Sequence, residues 1–270
     1  MTFDQSVFDI RCEWGENGVR QLAPISDAII IVDVLSFSTC VTLATSRGAL
    51  IFPYPLHDGT GFAFARSINA ALAGPRGQST YSLSPQSLLE IAAGTRLVLP
   101  SPNGAILTLA TGGTPTFAGC LRNCRAVAAA ALRYGKNIAV IPAGERWPED
   151  GSLRVAVEDL VGAGAIISHL SGSLSPEAQM AVVAYHHARE NLVEVFDQCG
   201  SGKELRERGF EGDIALAAQV DVDDCAPMLQ NGAYIKAEQG TAPDRDSAAL
   251  QPRRGVLALG NVTSRGRHRR

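Results

Sequence analysis

AIIIVDVLSFST, residues 28–39, is a β-branched apolar run that stops abruptly in a loop of small and polar residues. Two further stretches behave alike: RLVLP (96–100) ahead of SPNGA, and NIAVIP (137–142) ahead of AGERW. Continuous aliphatic runs of this length read as central strands covered on both faces. That places the chain in the α/β class, where ligands bind in the crevice beyond the strand ends. The three loops supply a carboxylate (Asp33), hydroxyls (Ser36, Ser38, Ser101), an amide (Asn103), glycines (Gly104, Gly144) and the charges of Glu145 and Arg146. Such a set suits a small anion and a metal.

Outward from these runs, strand and helix patterns alternate. The apolar spacing of SFSTCVTLATSRGA predicts a helix stopped by Gly48, and LIFPYP reads as a strand. FAFARSINAALAG reads as a helix ended by Gly74 and Pro75, and Ser84-Pro85 opens a short helix over QSLLEIAAG. ILTLATGG continues as helix and TPTFAG as strand. In the second half, ERWPEDGSLR is irregular and VAVEDLVGAGAIISHL is helical. Ser175-Pro176-Glu177 begins a longer helix running toward Cys199, and GKELRERGF is a short charged helix. The Asn-Gly inside PMLQNGAYIKA marks a hairpin turn. The expected division is an N-terminal α/β half over 1–135, a C-terminal half over 136–264 and a basic tail over 265–270.

The chain has 270 residues, 46% hydrophobic and 19% charged, which describes a globular core built from Ala, Val, Leu and Ile. A net charge of -3 offers no global attraction to nucleic acid or acidic lipid. The tail RGRHRR lacks the aromatic platform of an RNA-binding arm and reads as solvated. No stretch reaches the roughly 18 apolar residues of a membrane span, and the N-terminus lacks the apolar middle of a signal peptide. A cytoplasmic protein with no membrane partner is expected. The cysteines at 12, 40, 120, 124, 199 and 225 are scattered, favouring reduced thiols, and CLRNC has neither a second pair nor a nearby His to make a zinc site.

Asp33 is the most informative residue. A carboxylate after an aliphatic run costs several kcal/mol to bury without a metal or donors. It would ligate Mg²⁺ or act as a nucleophile; the plainer alternative is an N-cap for the following helix. Ser101-Pro102-Asn103-Gly104 precedes an apolar helix, so free backbone N–H groups there suit phosphate, against the alternative of an ordinary cap and turn. Glu158 and Asp159 are adjacent, and one of them should face the site. Arg122, Asn123 and Arg146 follow strands and are candidates to clamp an anion.

Other patterns are set aside. Gly200-Ser201-Gly202-Lys203 lacks the first Gly and the final Ser or Thr of a phosphate-binding loop, and Gly162-Ala163-Gly164 lies inside a helix-like run. There is no HExxH and no nucleophile elbow, and Asp33-Val34-Leu35 lacks the second Asp of a haloacid-dehalogenase-type phosphatase.

With these residues in place, the chain resembles the 2-phosphosulfolactate phosphatase family over most of its length. VDVLSFST is similar to the family's DVLRAST-like strand end, LPSPNGA to its SSTNGT-like loop, AGCLRNCRAVA to its GSFLNAxAVA segment and VAVEDLVGAGAI to its SLEDxxAAG helix. GKELRERGFEGDIALAAQVDVDDCAPML resembles the closing LxxxGYxxDVxxCLxLDxxxxVP stretch. The resemblance implies a Mg²⁺-dependent hydrolase on a three-layer α/β/α fold, with two related halves, swapped C-terminal strands and a cleft between them. Three departures mark a variant subgroup: Ser36 stands where many members carry Arg, Cys120 where Ser is usual, and ERWPEDGSLR is inserted beside the cleft. Arg122 or Arg146 is expected to replace the anion partner lost at position 36.

The expectation is therefore a phosphatase acting on a small phosphorylated hydroxy acid, 2-phosphosulfolactate or a close analogue. Asp33, Glu158 and Asp159 would be the catalytic and metal-holding carboxylates. Ser36, Ser38, Ser101, Asn103, Gly104, Arg122, Asn123 and Arg146 would bind the anion. The alternative is a non-catalytic anion-binding or regulatory protein that retains the cleft. The Ala-rich, apolar helices are compatible with a homodimer.

Overall fold

A computed structural model describes residues 3–55 and 59–237. The chain opens with β1 (Ile10–Cys12), α1 (Gly15–Leu22), β2 (Ala28–Val32), α2 (Phe37–Ser46), β3 (Leu50–Tyr54), α3 (Gly61–Ser67) and β4 (Ala71–Leu72). After a 3-10 turn at Pro85–Leu88 come β5 (Arg96–Pro100), α4 (Gly104–Ala110), β6 (Thr116–Gly119), α5 (Cys124–Leu132) and β7 (Ile138–Pro142). The segment 145–154, expected to be irregular, folds as a small hairpin, β8 (Glu145–Arg146) with β9 (Leu153–Arg154). Five helices follow: α6 (Val157–Ile167), α7 (Pro176–Ala188), α8 (Leu192–Gln198), α9 (Gly200–Glu207) and α10 (Glu211–Ala217). The hairpin β10 (Pro227–Gln230) and β11 (Ala233–Lys236) comes last of the described elements.

The large sheet runs β1-β7-β2-β6-β10-β11-β3-β5-β4. β1, β7, β2 and β6 are mutually parallel, as are β3, β5 and β4. The hairpin sits between these blocks and is antiparallel to β6 on one side and to β3 on the other. The two parallel blocks therefore run in opposite senses. The loops that follow β2 and β5 are nevertheless joined, by the hydrogen bond from the Gly104 amide to Asp33 Oδ2 at 2.8 Å. The break expected at 135/136 falls between α5 and β7, and β7 enters the sheet between β1 and β2. The tail at 265–270 lies outside the described residues.

Helices cover both faces, giving three α/β/α layers. β2 shows why its sequence is apolar throughout. Ile30 and Val32 pack with Val127, Val161 and Ile166 of α5 and α6, whereas Ile29 and Ile31 pack with Val19 and Leu22 of α1 and Leu107 of α4. In the other block, Ile51, Leu97 and Leu99 meet Phe37 and Val41 of α2 together with Tyr234. Phe52 and Val98 join Ala65 of α3.

Local chemistry places most boundaries. The Ser175 hydroxyl accepts a hydrogen bond from the Ala178 amide at 3.1 Å and so caps α7. Asn231 and Gly232, at φ 50° and 81°, form the tight turn of the last hairpin. Gly164 is required by close approach, since a Cβ there would lie 1.9 Å from the Ala181 carbonyl oxygen of α7.

Three helix expectations are corrected. The short helix read over QSLLEIAAG is only a 3-10 turn at Pro85–Leu88. The helix read over 62–74 ends at Ser67, where Asn69 adopts φ 51° and the chain turns into β4. The helix read from 175 toward Cys199 breaks after Ala188 and restarts as α8. All the cysteines are free thiols, and Cys120 and Cys124 are buried. No helix among the described residues is long and apolar enough to cross a membrane.

Candidate active site

Asp33 leaves the end of β2 and is 6% exposed. Its Oδ1 accepts the Phe37 amide at 3.1 Å, at the start of α2, and its Oδ2 accepts the Gly104 amide at 2.8 Å, at the start of α4. One carboxylate thus holds two helix N-termini that belong to different blocks of the sheet. The capping role proposed as the plainer alternative is present, and it brings the β2 and β5 loops together. Burial raises the Asp33 pKa; the two amides oppose that rise, Glu158 adds to it and Arg76 opposes it.

Asp159, in the first turn of α6, does for the β7 loop what Asp33 does for β5. Its Oδ1 accepts the Val34 amide at 2.7 Å and its Oδ2 the Gly144 amide at 2.8 Å. Burial first, then the charges of Asp33 and Glu158, pushes it well above the usual carboxylate range. Glu158 beside it is 2% exposed, and its Oε2 is the sole buried side-chain nitrogen or oxygen among the described residues without a hydrogen-bond partner. Glu145 opens β8 and its Oε2 accepts from Asn103 Nδ2 at 2.8 Å. Burial, and then the neighbouring Asp33 charge, pushes its pKa up to about 7.

A cavity of about 640 Å³ opens over this cluster. Asp33, Ser36, Ser101, Asn103 and Glu145 line its polar end together with Arg76. Arg76 comes from the loop after β4. Its Nη2 donates to the Ser36 hydroxyl at 3.0 Å and its Nη1 to Asp213 Oδ2 at 3.4 Å. Asp213 is fully buried and further held by the Ser84 hydroxyl at 2.7 Å and the Gln86 amide at 3.1 Å. The guanidinium is fixed by these two partners and lies over the Phe210 ring at 5.8 Å. Arg154 of β9 donates to the cavity residue Ser201 at 3.2 Å.

The other expected anion binders are engaged elsewhere. Ser38 Oγ accepts the Asp33 amide and donates to the Ile31 carbonyl, both at 3.0 Å, which fully occupies it inside the β2–α2 turn. The Gly104 amide is committed to Asp33. Arg122 is buried against Asp223 at 2.7 Å and the Leu216 carbonyl at 2.9 Å, tying α10 and the segment after it to the sheet. Asn123 closes the Cys120 turn and donates to the Ala118 and Cys225 carbonyls. Arg146 pairs with Glu16 and lines a smaller neighbouring hollow of about 230 Å³, which shares Asn103 and Glu145 with the large cavity. Glu158 and Asp159 are not among the residues lining either hollow, and the Glu158 charge acts on Asp33, which lines the larger one. The guanidinium that lines the large cavity beside Asp33 is that of Arg76, whose signal in the sequence is only a lone cation between Pro75 and Gly77.

The donor chemistry fits a hard cation. Asp33, Glu145, Glu158 and Asp159 are mutually repelling carboxylates in a poorly solvated place, and Glu158 presents an unpartnered oxygen. Among the described residues no group of three or more His, Cys, Asp or Glu is arranged to hold a metal by itself. Mg²⁺ ordinarily takes one or two carboxylates and completes its shell with water and substrate oxygens.

Comparison with known proteins adds to this geometry. The model of the 2-phosphosulpholactate phosphatase family matches residues 18–232. A 2-phosphosulfolactate phosphatase of Methanothermobacter thermautotrophicus is 28% identical over 210 residues, which cover 77% of this chain and 88% of the relative. A probable 2-phosphosulfolactate phosphatase of Pseudothermotoga lettingae is 25% identical over 141 residues, covering 52% of this chain and 60% of the relative.

Proposed function

The chain belongs to the 2-phosphosulpholactate phosphatase family, and from that premise we propose that it is a Mg²⁺-dependent phosphatase acting on a small phosphorylated hydroxy acid, 2-phosphosulfolactate or a close analogue. The observation that carries this reading is the convergence, in one cavity, of Asp33, Ser101, Asn103, Glu145 and Arg76 from four separate loops.

Asp33 and the free oxygen of Glu158 are the groups that would hold the cation, while Asp159 keeps the β2 and β7 loops together. When bound, Mg²⁺ supplies charge neutralisation at the phosphoryl group and acidifies water. Ser101, whose hydroxyl oxygen accepts the Asn103 amide at 3.3 Å and keeps its proton to give, and Asn103, with a second N–H, donate to phosphoryl oxygens. Arg76, which lines the cavity, takes the substrate's carboxylate. Glu145, poised near neutrality, accepts the proton of the attacking water. The water oxygen bonds to phosphorus, the bond from phosphorus to the 2-oxygen breaks, and that oxygen takes up a proton to give the free hydroxy acid and inorganic phosphate.

Phosphate release from a panel of phosphorylated hydroxy acids, with and without EDTA, tests the reading. Turnover that EDTA abolishes and Mg²⁺ restores is expected. Turnover unaffected by EDTA removes the metal from the account, and no turnover of any member removes the phosphatase.

A further inference from the structure

We propose that the substrate of this chain carries a hydrocarbon group, aromatic or branched, where 2-phosphosulfolactate carries its sulfonate. The inference rests on the phosphatase reading and narrows its substrate.

Two independent observations point the same way. The first is charge. 2-Phosphosulfolactate brings three anionic groups: phosphate, carboxylate and sulfonate. Among the described residues the arginines lining the cavity are Arg76 and Arg208; Arg208 is already paired with Glu204 at 3.0 Å, and nearby Arg154 is engaged by the Ser201 hydroxyl and the Trp147 ring. The polar end therefore offers one buried guanidinium among several carboxylates. A bound cation would answer the phosphate and Arg76 the carboxylate, which leaves a sulfonate without an unengaged cation among the described lining residues. Placing an anion there costs affinity.

The second is the wall. At about 640 Å³ the cavity sits within the roughly 300–1,000 Å³ of pockets that take drug-sized ligands. Besides its polar groups it is lined by Tyr54, Phe62, Leu72, Leu83 and Leu205. Phe62 and Leu72 are 63% and 36% exposed, so this part of the lining is open, and it lines the same cavity as Asp33 and Arg76. A three-carbon acid with polar groups on every carbon would leave that surface wet; a benzyl-sized group attached to the same acid would cover it. The recognised substrate is thus amphipathic, with phosphate and carboxylate at the polar end and the hydrocarbon group against Phe62 and Leu72.

The test compares kcat/KM for three synthetic esters in Mg²⁺ buffer: 2-phospho-3-phenyllactate, 2-phospholactate and 2-phosphosulfolactate. In an apolar pocket one methylene is worth roughly 10–200-fold, so the phenyl ester is expected to exceed both others at least tenfold. Phe62→Ser combined with Leu72→Ser should lower the phenyl-to-methyl ratio about tenfold. Because both side chains are exposed, circular dichroism should match that of the wild type. Preference for 2-phosphosulfolactate or 2-phospholactate overturns the inference and leaves the phosphatase intact. Hydrolysis of none of the three overturns the phosphatase reading and the inference with it. If the double variant instead loses self-association in sedimentation velocity while its substrate ratio is unchanged, the apolar wall is a contact between copies and the inference falls.

Discussion

Replacing Glu145 with Gln should make the protein more stable and less active at once. The side chain sits where burial and the Asp33 charge raise its pKa from an ordinary 4.5 to about 7. A group whose pKa is raised by folding binds more protons in the folded than in the unfolded state between those two values. Its favourable contribution is present in full below 4.5 and is lost as the pH rises through 7. At 1.36 kcal/mol per pH unit, the ionised Glu145 costs the folded state about 3 kcal/mol at pH 8, and about 2–3 kcal/mol of this develops between pH 5 and pH 8. Gln keeps the oxygen that accepts from Asn103 Nδ2 and removes the charge. Urea denaturation in EDTA, so that no cation relieves the repulsion, should show the variant gaining about 2–3 kcal/mol over the wild type between pH 5 and pH 8. Its kcat should fall by about 10²–10⁴, the usual contribution of a positioned general base, and the wild-type rate should rise through pH 7. A variant that follows the wild-type stability at every pH, or is less stable at pH 8, refutes the placement of a strained base at this position.

The remaining predictions concern groups with different roles. Asp159→Ala leaves the Val34 and Gly144 amides without their acceptor; at about 1–3 kcal/mol for each buried unpaired group, denaturation should show a loss of about 2–6 kcal/mol. Arg122→Ala breaks a largely buried pair with Asp223 and should cost about 3–5 kcal/mol in the same assay, while the KM of the protein that remains folded stays at the wild-type value. Arg76→Met removes a charged donor worth about 1.5–3 kcal/mol, so kcat/KM should fall about 10–100-fold, mostly through KM, with partial recovery in Arg76→Lys.

Much of this architecture is legible in the chain because it depends on local chemistry. The aliphatic runs of β2, β5 and β7, the Ser175 cap and the Asn231-Gly232 turn each declare themselves within a few residues. The loops holding Asp33, Ser101 and Asn103 follow from the strands that they end. What sequence patterns do not carry is pairing at a distance. Nothing in PMLQNGAYIKA says that its hairpin will separate two parallel blocks of opposite sense. Arg76 reaches the site because Asp213, more than a hundred residues later, anchors it beside Ser36. Arg122 and Asn123 matched a family motif and follow a strand, yet that position serves to fasten the segment around Asp223 and Cys225 to the sheet. Glu145 was visible as a charge near a strand end; its perturbed ionisation required knowing that Asp33 and Glu158 lie next to it.

The central claim is that the ends of β2, β5 and β7 build one hollow for a divalent cation beside an oxyanion. A crystal structure with Mg²⁺ and tungstate, an inert mimic of the phosphoryl group, tests it directly. The account predicts the cation against Asp33 and Glu158, and the oxyanion beside it in contact with Ser101 and Asn103. A cation bound away from both carboxylates, or tungstate seated at Arg122 or Arg146 with the large cavity empty, would contradict it.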